Sequence, residues 1–158
     1  MAEKDKKIKK GNKVETVKNL AQKLLDWLGV VADFKIEETE ESLNLNLQTD
    51  QSALLIGFHG ETLTAFQLIL SMMIYQKLGE WVRISIDVDG YRQRRYQALE
   101  QMALSTAQKV RFSKKPCALP SMSAHERRIV HLALADSSDI QTESQGEEPE
   151  RKVVISPK

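Results

Sequence analysis

Apolar residues recur along this chain in two rhythms, and the rhythm changes where the elements change. Val14, Val17, Leu20, Leu24 and Leu28 keep helical spacing with charged residues between them, which predicts a helix over 14–28 ended by Gly29. Residues 31–37 read as a strand. Leu43, Leu45 and Leu47 alternate with Asn44 and Asn46, the pattern of a strand with one buried face. The acidic run Glu37, Glu38, Glu40 and Glu41 falls in the turn between these two strands, so they form a hairpin. Asp50 is positioned to cap a short helix over 51–56, and Gly57-Phe58-His59-Gly60 follows it. A helix from 61 to about 78 is apolar on most sides (Leu63, Phe66, Ile69, Leu70, Met73, Ile74), as expected of an element central to a core. Val82, Ile84, Ile86 and Val88 alternate with polar residues in a further strand.

Asp89-Gly90 closes that strand and caps a long amphipathic helix over 91–112, whose stripe is Leu99, Met102, Ala103, Thr106 and Val110. Residues 116–119 are a short extended piece. Ser123 and Glu126 make a capping box, with Ser123 as N-cap and the helix running to about 135. Arg127 and His131 lie four apart on one side of this helix, beside the stripe of Val130, Ala133 and Leu134 and outside it. Residues 137–144 and 151–155 form a second hairpin around Gly146 and Pro149.

Charge divides the chain more sharply than its total suggests. The 158 residues hold 23 Lys and Arg against 22 Asp and Glu, a net +1. Residues 15–90 carry 5 basic and 12 acidic side chains, a net −7, whereas residues 91–128 carry 9 and 2, a net +7. A basic block of this kind concentrates polyanions. Residues 1–13 are lysine-rich and nearly free of apolar groups, and are expected to be a disordered basic lead.

Several classes of function drop out. One cysteine, Cys117, builds no disulfide framework and suits a reducing compartment. One cysteine with three scattered histidines (His59, His125, His131) makes no ordinary metal site. The longest apolar stretch, over 63–75, is too short and too polar to span a bilayer. With no secretory leader visible, a cytoplasmic location is expected. No nucleophile elbow, phosphate-binding P-loop or paired-carboxylate signature is present, so no catalytic residue, cofactor, metal or small-molecule substrate is expected.

Two constellations point instead to nucleic acid. G-x-x-G between helices, after α-β-β-α and before α-β, resembles a KH domain of the type with its added elements at the N-terminus, here residues 14–89. In that family the loop clamps single-stranded nucleic acid and usually carries a basic residue; this chain has Phe58-His59, of which Phe58 could stack on a base or meet another protein. Gly90-Tyr91-Arg92-Gln93-Arg94-Arg95, then Glu126-Arg127-Arg128-Ile129-Val130-His131, then Thr142 to Gly146 and Arg151, resemble the R-three-H domain, a single-strand nucleic-acid module, here residues 90–156. The two in succession resemble the bacterial Jag family, also called the KhpB or EloR family. Its members commonly carry a further N-terminal Jag domain, which the sequence does not show, and Asn-Pro-Tyr before the Glu-Arg-Arg, where this chain has Met122-Ser123-Ala124-His125.

The resemblance implies an α+β fold: a KH domain with a three-stranded sheet and helices on one face, then a small domain of two helices on a short sheet. It implies that Arg127 and His131 meet phosphate or sugar, with Arg128, Arg92, Arg94 and Arg95 as neighbours and Gly57, Phe58, His59 and Gly60 as the KH loop. The partner implied is single-stranded RNA or single-stranded DNA. A role in RNA metabolism linked to cell elongation and division, and pairing with a small single-KH protein or with itself, are also implied. The alternative is an interaction adaptor that uses the acidic KH domain as a dimer interface.

Overall fold

In a computed structural model the backbone is described for residues 2–158 and the side chains for residues 13–158. The chain divides into two units, one ending at Tyr91 and the other running from Arg92 to Lys158.

The first unit runs α1 (Ala2–Leu28), β1 (Asp33–Glu38), β2 (Leu43–Gln48), α2 (Ser52–Ile56), a 3-10 turn (Phe58–Gly60), α3 (Glu61–Leu78) and β3 (Ile84–Val88). The expected hairpin is present: β1 pairs antiparallel with β2, with Asp33 opposite Gln48 and Glu38 opposite Leu43. The acidic turn is held by Thr39, whose hydroxyl accepts from the Ser42 amide at 3.0 Å. β3 joins β2 in parallel, Leu45 beside Ile86, so the sheet order is β1-β2-β3. Alternation does what the pattern requires: Leu43, Leu45 and Leu47 are buried from β2, and Ile84, Ile86 and Val88 from β3. The apolar face of α1 and the residues Leu63, Phe66, Leu70 and Ile74 of α3 complete this core. Each fully buried leucine contributes about 1.5–3 kcal/mol.

The expected disordered basic lead, residues 1–13, falls on residues whose side chains, up to residue 12, lie outside those described. Two expectations are corrected here. Asp50 does not cap α2: the N-cap is Gln51, without a side-chain bond, because the helix starts one residue later than Asp50 could serve. The Gln51 amide instead donates to the Thr49 hydroxyl at 3.1 Å. Nor is α3 enclosed. Leu68, Ile69, Met72 and Tyr75 are 43–60% exposed, since a single three-stranded sheet and its companion helices cover only one side of this helix.

The second unit contains α4 (Tyr91–Ser113, whose first residue closes the first unit), β4 (Cys117–Ser121), α5 (Ala124–Ala133), β5 (Ile140–Gln145) and β6 (Lys152–Pro157). β6 is the central strand of an antiparallel sheet ordered β4-β6-β5. Leu99, Ala103, Ala107 and Val110 of α4 and Val130 of α5 close over Val153 and Ile155 of β6. Thr106 is buried in the α4 stripe as its spacing requires. Arg111 ties the end of α4 to the turn before β5, with Nε 2.7 Å from Asp139 Oδ2 and Nη2 3.1 Å from Oδ1. That forked bond holds the Asp139 carboxyl below its ordinary pKa. Among the described residues no helix is long and apolar enough to cross a membrane.

Candidate nucleic-acid interface

The turn between α2 and α3 depends on its two glycines. Gly57 has φ 67° and ψ −165°, a region essentially reserved for glycine, and a Cβ there would lie 2.7 Å from the Thr62 Cβ and 3.1 Å from its backbone nitrogen. Gly60 is left-handed at φ 87° and faces the Tyr91 ring, 3.0 Å from where its Cβ would stand. His59 also adopts φ 51°, which histidine tolerates better than branched residues. The turn projects Phe58 into solvent, 67% exposed, with its ring stacked on His59 at 4.0 Å and 18° between planes. An exposed π-face of this kind can accept a stacked base.

The second site is built on α5. Ser123 caps it, its hydroxyl accepting from the Glu126 amide at 3.4 Å, while Glu126 Oε2 accepts from the Ser123 amide at 3.2 Å. The capping box was legible in the sequence. Its further bond was not: Glu126 is buried, and its Oε1 accepts from Arg95 Nε at 2.7 Å. Arg95 therefore serves α5 and is half-buried, whereas Arg92 and Arg94 on the first turn of α4 are exposed. Arg128 is exposed as well, one position around α5 from Arg127.

Arg127 does not stand where the sequence reading put it. It is only 8% exposed, packed on the inner side of α5 rather than clear of the apolar stripe. The helix lies against the sheet so that positions 127 and 131 look onto β5 and the hairpin end. A guanidinium at such a position must find acceptors. Nη1 donates to the Met122 carbonyl at 2.9 Å and to Glu148 Oε1 at 2.8 Å. His131, one turn on, is half-buried between two hydroxyls, with Nδ1 2.7 Å from Thr142 Oγ1 and Nε2 3.0 Å from Ser144 Oγ. Burial, and next the Arg127 charge, hold its pKa below the ordinary value, favouring neutral imidazole. A neutral ring donates from one nitrogen and accepts at the other, and two hydroxyls can satisfy either tautomer.

The structure thus brings Arg127 and His131 together with Thr142, Ser144 and Glu148, none of which the sequence reading named as a site residue. Thr142 and Ser144 carry a period-two signal on β5, but nothing local says which helix they meet. Arg92, Arg94 and Arg128 remain at exposed positions of the same unit. The turn of residues 57–60 belongs to the other unit.

Comparison with known proteins agrees with this division. Residues 14–86 match the family described as "KhpA/KhpB, KH domain", and residues 97–157 match the R-three-H domain family. A protein of Clostridium symbiosum named "RNA-binding protein KhpB" is 36% identical over 137 residues, 85% of this chain and 62% of that protein. One of the same name from Lactiplantibacillus plantarum is 36% identical over 128 residues, 81% of this chain and 40% of that protein. A third, from Bacillus subtilis, is 28% identical over 155 residues, 97% and 74% respectively. The chain therefore covers 62% and 40% of the length of the first two of these relatives. The chain thus has a KhpA/KhpB-type KH domain followed by an R-three-H domain, the two domains in the order of the KhpB-like family that its sequence resembles.

Proposed function

We propose that this protein binds single-stranded RNA, without catalysing a reaction on it. The contacts come mainly from residues 92–158, with Arg127, His131, Arg128, Arg92, Arg94 and Arg95 at or beside the site and Gly57, Phe58, His59 and Gly60 adding a stacking turn. One observation carries the reading. Residues 92–158 hold 12 basic and 8 acidic side chains, a net +4, on a chain whose residues 15–90 are net −7. Lys109, Lys115 and Arg128 stand exposed on that unit, beyond the ion pairs made by Arg95, Arg111 and Arg127. A cationic surface on an otherwise acidic chain suits a polyanion. The relatives named as RNA-binding proteins favour RNA over DNA. The setting proposed is the cytoplasm, and the role is regulation of RNA metabolism linked to cell elongation and division.

Fluorescence anisotropy with a labelled single-stranded oligonucleotide tests this. Log K is expected to fall linearly with log salt, by about 0.7 per phosphate neutralised. Absence of binding at low salt sinks the proposal. Single-stranded DNA of the same sequence is the arm that separates RNA from a general single-strand preference.

A second reading, an adaptor that associates through its KH domain, is favoured by the exposed stripe on α3. Leu68, Ile69, Met72 and Tyr75 recur at helical spacing, and Trp81 stacks on Tyr75 at 4.6 Å. Such a stripe suits a second copy or a small single-KH protein. Sedimentation of the chain alone, and of Ile69→Glu with Met72→Glu, separates a self-associating stripe from one that stays monomeric.

A further inference from the structure

Arg127 is not the only guanidinium at its end of the sheet. On the inner face of β5 and β6, Thr142 stands opposite Ile155 and Ser144 opposite Val153. Gly146 and Arg151 follow at the hairpin end, each one residue beyond the last strand pair, Gln145 with Lys152. A Cβ on Gly146 would lie 3.6 Å from the Arg151 Cα, which fixes the approach. Arg151 and Arg127 also share a backbone anchor: the Met122 amide donates to the Arg151 carbonyl at 3.1 Å, and the Met122 carbonyl accepts from Arg127 Nη1 at 2.9 Å. Arg151 Nε is buried and has no hydrogen-bond partner among the described residues. A buried donor on a cation without an acceptor is costly to leave so. The carboxylate bonded to Arg127 is that of Glu148, on the exposed loop between β5 and β6 and itself 59% exposed. It serves Arg127 and leaves the Arg151 Nε donor unmet.

One anion with oxygens in two directions would satisfy both. A phosphodiester has two non-bridging oxygens and accepts planar guanidinium donors well. Glu148 is a weak competitor for that position, since a carboxylate on an exposed loop gains little from its ion pair. We propose that Arg127 and Arg151 form a two-guanidinium phosphate subsite, and that the Glu148 carboxylate holds the place of the phosphate until a nucleic-acid strand displaces it. This rests on the reading of residues 92–158 as the single-strand binding unit.

The test uses the full chain and a fluorescein-labelled single-stranded RNA 12-mer, titrated over a range of salt. Glu148→Gln is expected to tighten binding about fivefold, the factor available from removing an exposed competing carboxylate. Arg151→Gln is expected to weaken it about tenfold, as for one lost charge-assisted hydrogen bond. Its salt slope is expected to fall by about 0.7, one phosphate fewer. Unchanged or weaker binding by Glu148→Gln makes the carboxylate a structural clamp and overturns the inference. So does an unchanged slope in Arg151→Gln. Should either variant fail to fold, NMR of the guanidinium Nε–H signals in the unaltered protein decides. The Arg151 signal must shift on adding the 12-mer, and a signal that stays still while RNA binds refutes the subsite. If the unaltered chain binds no oligonucleotide at low salt, the functional reading fails. If it binds but the variants and the Arg151 signal do not respond, only this inference fails.

Discussion

Glu126→Ala is the substitution that puts most at risk for the second unit. The side chain does two things at once. Oε2 accepts from the Ser123 amide at 3.2 Å, half of the capping box, and Oε1 accepts from Arg95 Nε at 2.7 Å. The two side chains are 8% and 19% exposed, so this ion pair is neither a surface pair nor a sealed one. Breaking a fully buried pair from one side costs about 3–5 kcal/mol, and the residual water access of Arg95 puts this case nearer about 2 kcal/mol. Loss of half the box adds about 0.5–1 kcal/mol. The total, about 3 kcal/mol, is a large share of the roughly 3–10 kcal/mol expected of a unit this size. Urea unfolding followed by far-ultraviolet circular dichroism measures it. Tryptophan fluorescence does not report on this unit, because Trp27 and Trp81 both lie in the first one. Ser123→Ala, which leaves the pair with Arg95 intact, should cost only about 1 kcal/mol. If Glu126→Ala costs no more than Ser123→Ala, the bond to Arg95 contributes nothing and Arg95 is available for other work.

Three further outcomes follow from the same geometry. Gly57→Ala should cost the first unit about 1–3 kcal/mol from backbone strain alone, lowering its melting temperature by about 4 °C or more; an unchanged melt by tryptophan fluorescence would show that the turn adopts another conformation. His131 is held neutral by burial and by Arg127, so its folded pKa lies below its unfolded one. Stability is then unaffected well above the unfolded value of about 6.5 and is lost as pH falls from there towards the folded pKa. His131→Gln should flatten that acid-side loss in urea midpoints measured from about pH 8 to about pH 5, and an equal slope in both proteins would refute it. Replacing Phe58 and His59 by aspartates should weaken oligonucleotide binding less than Arg127→Ala with His131→Ala, provided circular dichroism shows both folded; the reverse ranking would make the KH turn the dominant contact.

What the sequence disclosed was whatever depends on neighbours along the chain. Leu43, Leu45 and Leu47 alternate, and they are buried. Ser123 and Glu126 are three apart, and they cap. The turn around Gly57 could be found because its conformation excludes side chains. What stayed hidden depends on how much surface is available to cover an element. The apolar circumference of α3 predicts burial on most sides, yet the first unit has only one sheet to offer, and Leu68, Ile69 and Met72 face outward. Composition specifies how much surface an element would bury; the number of layers decides how much it does.

The site divides along the same line. Arg127 and His131 were found as a pair because a helix puts positions four apart on one side. The spacing alone put that side clear of the apolar stripe, but an arginine next to such a stripe can extend outward or, as here, lay its aliphatic stem inward and seek acceptors. The acceptors that settle this, the Met122 carbonyl and Glu148, come from the residue before the cap and from a hairpin loop 21 residues on. If residues 92–158 bind a strand as proposed, buried charge next to half-buried His131 would make a more selective anion site than exposed lysines, because every bond to it must be replaced on binding. A strand reaching Arg127 would have to supply what Glu148 supplies, so the exposed cations such as Lys109, Lys115 and Arg128 would set the encounter and its salt dependence while the buried arginine would set the geometry of what is accepted.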